Sequence, residues 1–391
     1  MKNCVKKIVD KKIRYIGYYD ILHNGKKVRN YSLAAARKMD YICTAIKDIG
    51  FDVEILSPAY SILSGHGFIP SETLPIAERT VLKTTPSLKA SNKLARILRV
   101  LMAQLWLFFY LMGNCHKYEK VIVYHNYNLA IPLLMAKFFK RFELILEIEE
   151  IYDKVWKLTS YQRIREKWVL KQANDHSLVV SDVLKDELSL RHGIVSYGSY
   201  SVYKGDFAAK KTDKTLLVFT GSIDRERGGG FISIEAMRYL PENYQLFLSG
   251  VIAEKDKKDF LKRMDEINAE LKREACQYVG ILSDEDYENL LLNADIALNP
   301  QKDGIYGKYV FPSKILTYMS YGLPVVSTKG ESIVKSQLAD LITLASDYDP
   351  KSVAEAIMNV EMKPKSVYIQ YLEKLDHEFK DRLRDLLNHR A

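Results

Sequence analysis

The chain is poor in cysteine: Cys4, Cys43, Cys115 and Cys276 are scattered over 391 residues. No two form a C-x-x-C pair, which argues against a disulfide framework or a clustered zinc site and favours a reducing compartment. Helix-turn-helix, RNA-binding aromatic and zinc-finger signatures are all missing, so the net charge of +9 has no nucleic-acid motif behind it. Neither a metal nor an organic cofactor is expected. The basic start, MKNCVKKIVDKKIRYIGYYD, lacks the apolar core of a signal peptide. A cytoplasmic protein is expected. Its charge would then serve a negatively charged substrate or an anionic membrane face.

Long apolar runs are scarce too. The longest, residues 100–112 (VLMAQLWLFFYLM), is interrupted by Gln104 and falls short of the ~20 residues a spanning helix needs. Its composition predicts a buried helix. The basic flanks Arg96, Arg99, Lys117 and Lys120 suit the alternative, a peripheral contact with the inner face of an anionic membrane.

What the chain does have is alternation. Strands are expected at 13–18, 51–56, 121–124, 144–148 and 178–180, and helices at 31–49 and 129–139, with Ser181 capping a further helix to about 190. From 193 to 214 no period holds, and the stretch ends in the Lys-rich AAKKTDK. The alternation then restarts, with strands at 215–219, 245–248, 276–279, 296–298 and 325–327. Helices are expected between them at 231–239, 255–273, 284–293 and 312–321, and an amphipathic charged stretch covers 365–390. Such alternation predicts an α/β protein of two Rossmann-like domains with parallel sheets. The expected bounds are 1–195, a linker at 196–213, a second domain at 214–364 and a terminal helix at 365–391. Ligands of such domains sit beyond the carboxyl ends of the strands, in a cleft if two sheets face each other.

Two constellations follow strands in the second half. In LLVFTGSIDRERGGG (216–230) a strand feeds a glycine-rich loop with Gly221, Arg225 and Arg227, then opens a helix. Glycines let backbone N–H groups approach an anion, and arginine adds a rigid fork of donors. In FPSKILTYMSYGLPVVS (311–327) Pro312 suits a first helical turn and Gly322 a C-terminal cap. Ser313, Thr317 and Ser320 share one side, and Ile315, Leu316 and Met319 another. A diphosphate at Ser313 and Lys314, with a ribose one turn along, fits this geometry.

These motifs, with ADIALNP (294–300), resemble the donor domain of glycosyltransferase family 4, retaining enzymes of the GT-B fold. The resemblance covers roughly residues 214–360. It implies a nucleotide-sugar donor domain there, an acceptor-binding domain before it, and a terminal helix that crosses back. Arg227 falls where the family has a basic residue before glycine. Ser222 falls where many members have arginine, leaving Arg225 to supply that contact. Gly280 falls in the loop that touches the nucleotide base, and Ser313 and Lys314 at the diphosphate-binding helix start. Tyr309 and Thr317 replace the two glutamates of the family's E-x7-E pattern. Threonine makes one hydrogen bond to a ribose where a carboxylate accepts two.

The fourth strand ends LEIEEIYD (146–153). Its Glu149 and Glu150 stand near the family's usual histidine, with a solvated acidic edge as the bland alternative. His125, in YHNYN after the third strand, is a further catalytic candidate. The resemblance implies transfer of a hexose or N-acetylhexosamine, with retained configuration, from a UDP-sugar. The acceptor would be a saccharide or a lipid-linked oligosaccharide for the cell surface. A non-catalytic GT-B partner subunit and a nucleotide-sugar epimerase are the rival readings.

Overall fold

The computed structural model describes residues 12–207, 213–302 and 304–388. Cys4, the start of the chain through residue 11, residues 208–212 of the expected linker and residues 389–391 lie outside them. The chain divides into two compact units. Unit 1 comprises residues 1–180, 185–196 and 378–391, and unit 2 residues 181–184 and 197–377.

In unit 1 the elements run β1 (Lys12–Ile16), α1 (Leu33–Asp48), β2 (Asp52–Ser57), β3 (Phe68–Ile69), β4 (Thr73–Ala77), β5 (Thr80–Thr84), β6 (Ser87–Leu88), α2 (Lys93–Asn114), β7 (Lys120–Tyr124), α3 (Ala130–Lys140), β8 (Glu143–Ile148), α4 (Tyr152–Val155), α5 (Ser160–Leu170) and β9 (Leu178–Val179). Helix α6 (Asp182–Glu187) and strand β10 (Ile194–Val195) follow, α6 spanning the boundary between the units. The sheet order is β10-β9-β8-β7-β1-β2-β5-β4, with only β4 antiparallel to its neighbour. Its middle strands are buried on both faces, as parallel strands under helices are, with Arg14 of β1 and Glu54 of β2 paired at 2.9 Å among their apolar residues. Side-chain caps start the helices: Ser32 on α1, Asn92 on α2 and a Thr159–Gln162 capping box on α5.

Unit 2 runs β11 (Thr215–Thr220), α7 (Gly229–Ala236), β12 (Tyr244–Ser249), α8 (Glu254–Leu271), β13 (Cys276–Gly280), α9 (Asp284–Asn293), β14 (Ile296–Asn299), α10 (Ile305–Tyr309), α11 (Lys314–Ser320), β15 (Val325–Thr328), α12 (Glu331–Val334), β16 (Ile342–Ala345), α13 (Pro350–Met358) and α14 (Lys365–Asn388). Its six strands, ordered β13-β12-β11-β14-β15-β16, are all parallel. Each sheet places its first strand inside and reverses direction there, between β1 and β7 and between β11 and β14. Such switch points open a crevice at the carboxyl ends of the strands.

Three expectations need correction. The apolar run at 100–112 belongs to a 22-residue helix, α2, that buries only Ala103, Leu107 and Leu111, so it is not a core helix. Lys120 does not flank it in solvent: it is buried, and its Nζ donates to the Leu386 carbonyl. The expectation also passed over β3 to β6, α5, β16 and α13.

Candidate functional site

In unit 2 the carboxyl ends of three neighbouring strands finish in glycines with positive φ: Gly221 (130°), Gly250 (134°) and Gly280 (79°). The close approach at Gly250 requires glycine, because a Cβ there would lie 1.9 Å from the Gly221 carbonyl oxygen. Backbone bonds lock the row together, Gly221 N–H to Ser249 at 2.9 Å and Gly250 N–H to Gly280 at 2.9 Å. The result is an edge without side chains, to which a ligand can come close.

Lys314 of α11 stands over this edge, its Cε 3.9 Å from where a Gly221 Cβ would be. Its ammonium donates to the Tyr287 hydroxyl at 3.1 Å, and that hydroxyl is bonded to Thr220 Oγ1 at 3.1 Å. Tyr318 accepts from the Thr220 N–H at 2.8 Å. One cation is therefore held at the end of β11 by two tyrosines and a threonine that sequence reasoning missed. Thr220 and Tyr318 adjoin motif residues, but Tyr287 lies on α9 with no motif to mark it.

The other expected donor residues scatter around this centre. Ser313 and Ser222 are exposed, and Thr317 is half-buried one turn along α11. Arg227 is exposed, its N–H bonded to Asp224 at 2.7 Å. Arg225 pairs with Asp259 of α8 and covers the Phe231 ring of α7. Tyr309 is buried, and its carbonyl accepts from Ser181 Oγ at 2.6 Å. The glycine triplet serves packing, since a Cβ on Gly229 would lie 2.6 Å from the Pro300 carbonyl oxygen. It is Gly221 that leaves the edge bare.

In unit 1 the ends of β7 and β8 gather an acidic cluster. Glu147 is buried, accepts from the Tyr15 hydroxyl, and has one oxygen with no partner. Burial, then the charge of Glu149, pushes its carboxyl up to about 8. Glu149 is the partly exposed member, 3.6 Å from the Lys38 ammonium. Lys38 in turn donates to the carbonyl and hydroxyl of Ser196 at 2.5 and 2.8 Å. A lysine among the buried positions of α1 was the signal for this contact that the sequence offered. The cluster also raises two phenols: after burial as the main cause, Glu149 and then Glu147 act on Tyr124, and Glu150 on Tyr152.

His125 is buried against the Tyr152 ring, centroids 5.2 Å apart, with neither ring nitrogen hydrogen-bonded. Burial lowers its pKa to about 4, so it is neutral at pH 7. Among the described residues, no three His, Cys, Asp or Glu side chains gather as a metal ion would require.

Residues 206–380 match the family described as glycosyl transferases group 1. No curated protein matches the chain in sequence. Solved structures share the whole fold at low identity. The E. coli trehalose-6-phosphate structure bound with UDP-2-fluoro glucose is 11% identical, with 97% of this chain and 99% of that one covered and a TM-score of 0.63. The lipopolysaccharide outer core galactosyltransferase WaaB, in its apo form, is 14% identical over 96% and 99%, with a TM-score of 0.58. Anabaena HepE in complex with UDP and glucose is 12% identical over 96% and 97%, with a TM-score of 0.53.

Proposed function

We propose that this chain, whose residues 206–380 match glycosyl transferases group 1 and whose fold is GT-B, carries out a retaining, metal-independent transfer of a hexose or N-acetylhexosamine from a UDP-sugar. The acceptor is a saccharide or lipid-linked oligosaccharide of the cell envelope. The observation that carries this reading is Lys314, fixed by Tyr287 above the glycine edge of unit 2. UDP in the similar structures supports the choice of nucleotide.

In this reading the diphosphate rests on Gly221, between Lys314 and Arg227. As the anomeric C–O bond breaks, negative charge grows on the leaving phosphate, and those cations stabilise it more than they stabilise the bound donor. The departing phosphate takes the proton of the acceptor hydroxyl, whose oxygen forms the new glycosidic bond on the same face. Glu149, 3.6 Å from the Lys38 ammonium, offsets the positive charge that develops at the anomeric carbon. Gly280 meets the base, and Thr317 offers the ribose a single hydrogen bond.

Calorimetry with UDP tests the donor half. Lys314→Ala should weaken UDP binding about 10- to 100-fold, the scale of one hydrogen bond to a charged group. Parental affinity in that variant would remove the assignment. Transfer should persist in a chelator.

A further inference from the structure

Helix α2 is two-faced in an unusual sense. Its inward stripe, Ala103, Leu107 and Leu111, is small and fully used. Its outward stripe, Leu94, Ile97, Leu98, Leu101, Leu105 and Phe109, is exposed. Helix α3 packs along α2 and exposes Ile131, Met135, Phe138 and Phe139, with Phe138 77% accessible. Helix α5 packs on α3 and exposes Tyr161, Ile164 and Trp168. Scattered apolar residues on a surface are ordinary, but three adjoining helices with bare apolar faces form a patch that water disfavours.

The charges choose the occupant. Outside the core α2 carries Lys93, Arg96 and Arg99, α3 Lys137 and Lys140, and α5 Lys167 and Arg163, the last paired with Asp153, while Arg165 and the single acid of these helices, Glu166, are buried. A second copy of this face would set like charges against each other. A spanning arrangement is opposed by the inward side, where Gln104 donates to the Asn128 carbonyl at 2.6 Å and Lys83 to the Tyr110 hydroxyl at 2.7 Å. Apolar ground with an excess of basic residues beside it suits a surface that is oily beneath and anionic on top.

We propose that α2, α3 and α5 together form a face that lies in the headgroup layer of an anionic lipid bilayer. The Asn128 carbonyl also accepts from Arg165 of α5 at 2.6 Å, and it lies in the loop that begins at His125. The membrane layer is thus tied to the end of β7. On the transfer reading above, this seats unit 1 where a headgroup-borne acceptor would arrive.

The test needs no turnover, so its failure is separable from failure of the transfer reading. The full chain is mixed with vesicles of equal phosphatidylglycerol and phosphatidylcholine, or of phosphatidylcholine alone. Sedimentation with the anionic vesicles is expected, weaker at high salt. Trp156 and Trp168 are exposed, so tryptophan emission should shift to the blue on binding. Lys93→Glu/Arg96→Glu should weaken binding by about fivefold or more per charge removed. Leu105→Ser/Phe138→Ser should abolish the blue shift while circular dichroism stays parental. No binding to either vesicle would overturn the proposal, as would binding indifferent to both variants. A dimer that these substitutions dissociate, with no vesicle binding, would assign the face to a second copy instead.

Discussion

Replacing Glu147 with glutamine should flatten the pH dependence of unit 1. An unfolded glutamate ionises near 4.5, whereas burial and Glu149 hold the proton on Glu147 up to about 8. Below pH 4.5 both states are protonated and the group is neutral to stability. Between the two values the unfolded chain binds fewer protons, so stability falls as pH rises, by ~1.4 kcal/mol per pH unit. From pH 5 to pH 7 the ideal loss is therefore ~2–3 kcal/mol, and relaxation around the buried group leaves ~1 kcal/mol or more. Glutamine has no proton to lose and still accepts from Tyr15. The assay is urea unfolding followed by tryptophan fluorescence at several pH values. All three tryptophans, Trp106, Trp156 and Trp168, belong to unit 1, so the signal reports that unit alone. The parent should lose stability relative to Glu147→Gln as pH rises to 8. Parallel profiles would refute a buried, protonated Glu147.

Glu149→Gln should lower transfer about 10- to 1000-fold while UDP affinity, measured by calorimetry, stays parental. Glu150→Gln serves as its control, and an unimpaired Glu149→Gln enzyme would turn attention to His125. Gly250→Ala should push the Gly221 backbone aside at a cost of about 1–3 kcal/mol in the stability of unit 2, and weaken UDP binding with it. A variant with parental melting and affinity would show that the edge yields more readily than its 1.9 Å approach implies.

The α/β alternation was legible because buried parallel strands are continuous apolar runs. The cores of β7, β8, β11 and β12 fall where such runs occur. The β4–β5 hairpin was not. Its two-residue turn is Glu78-Arg79, with Arg79 at φ 56° in place of the glycine or asparagine that marks such turns. Helix α13 has a readable start, Asp349 capping it and Pro350 taking its first turn. The donor motif was legible as a string but not in its division of labour. Arg225 follows Asp259 on α8, a partner set by tertiary packing, and the glycine triplet is occupied by Phe219 and Pro300. The depth of α2 could not be read at all, since an apolar helix has the same composition whether protein or lipid covers it.

The last helix has a consequence for how the chain is made. Residues 378–388 of α14 belong to unit 1 although the whole of unit 2 precedes them. Phe379 lies against Tyr41 at 5.6 Å, Arg382 donates to the Gly193 carbonyl at 2.9 Å, and the Leu386 carbonyl receives Lys120. A ribosome therefore releases the first unit without its closing piece and delivers that piece only after the second unit has been synthesised. Until then α1 and the start of β7 wait uncovered, a substrate for holdases rather than a finished domain. A shortened message that ends before residue 378 would injure the unit translated first.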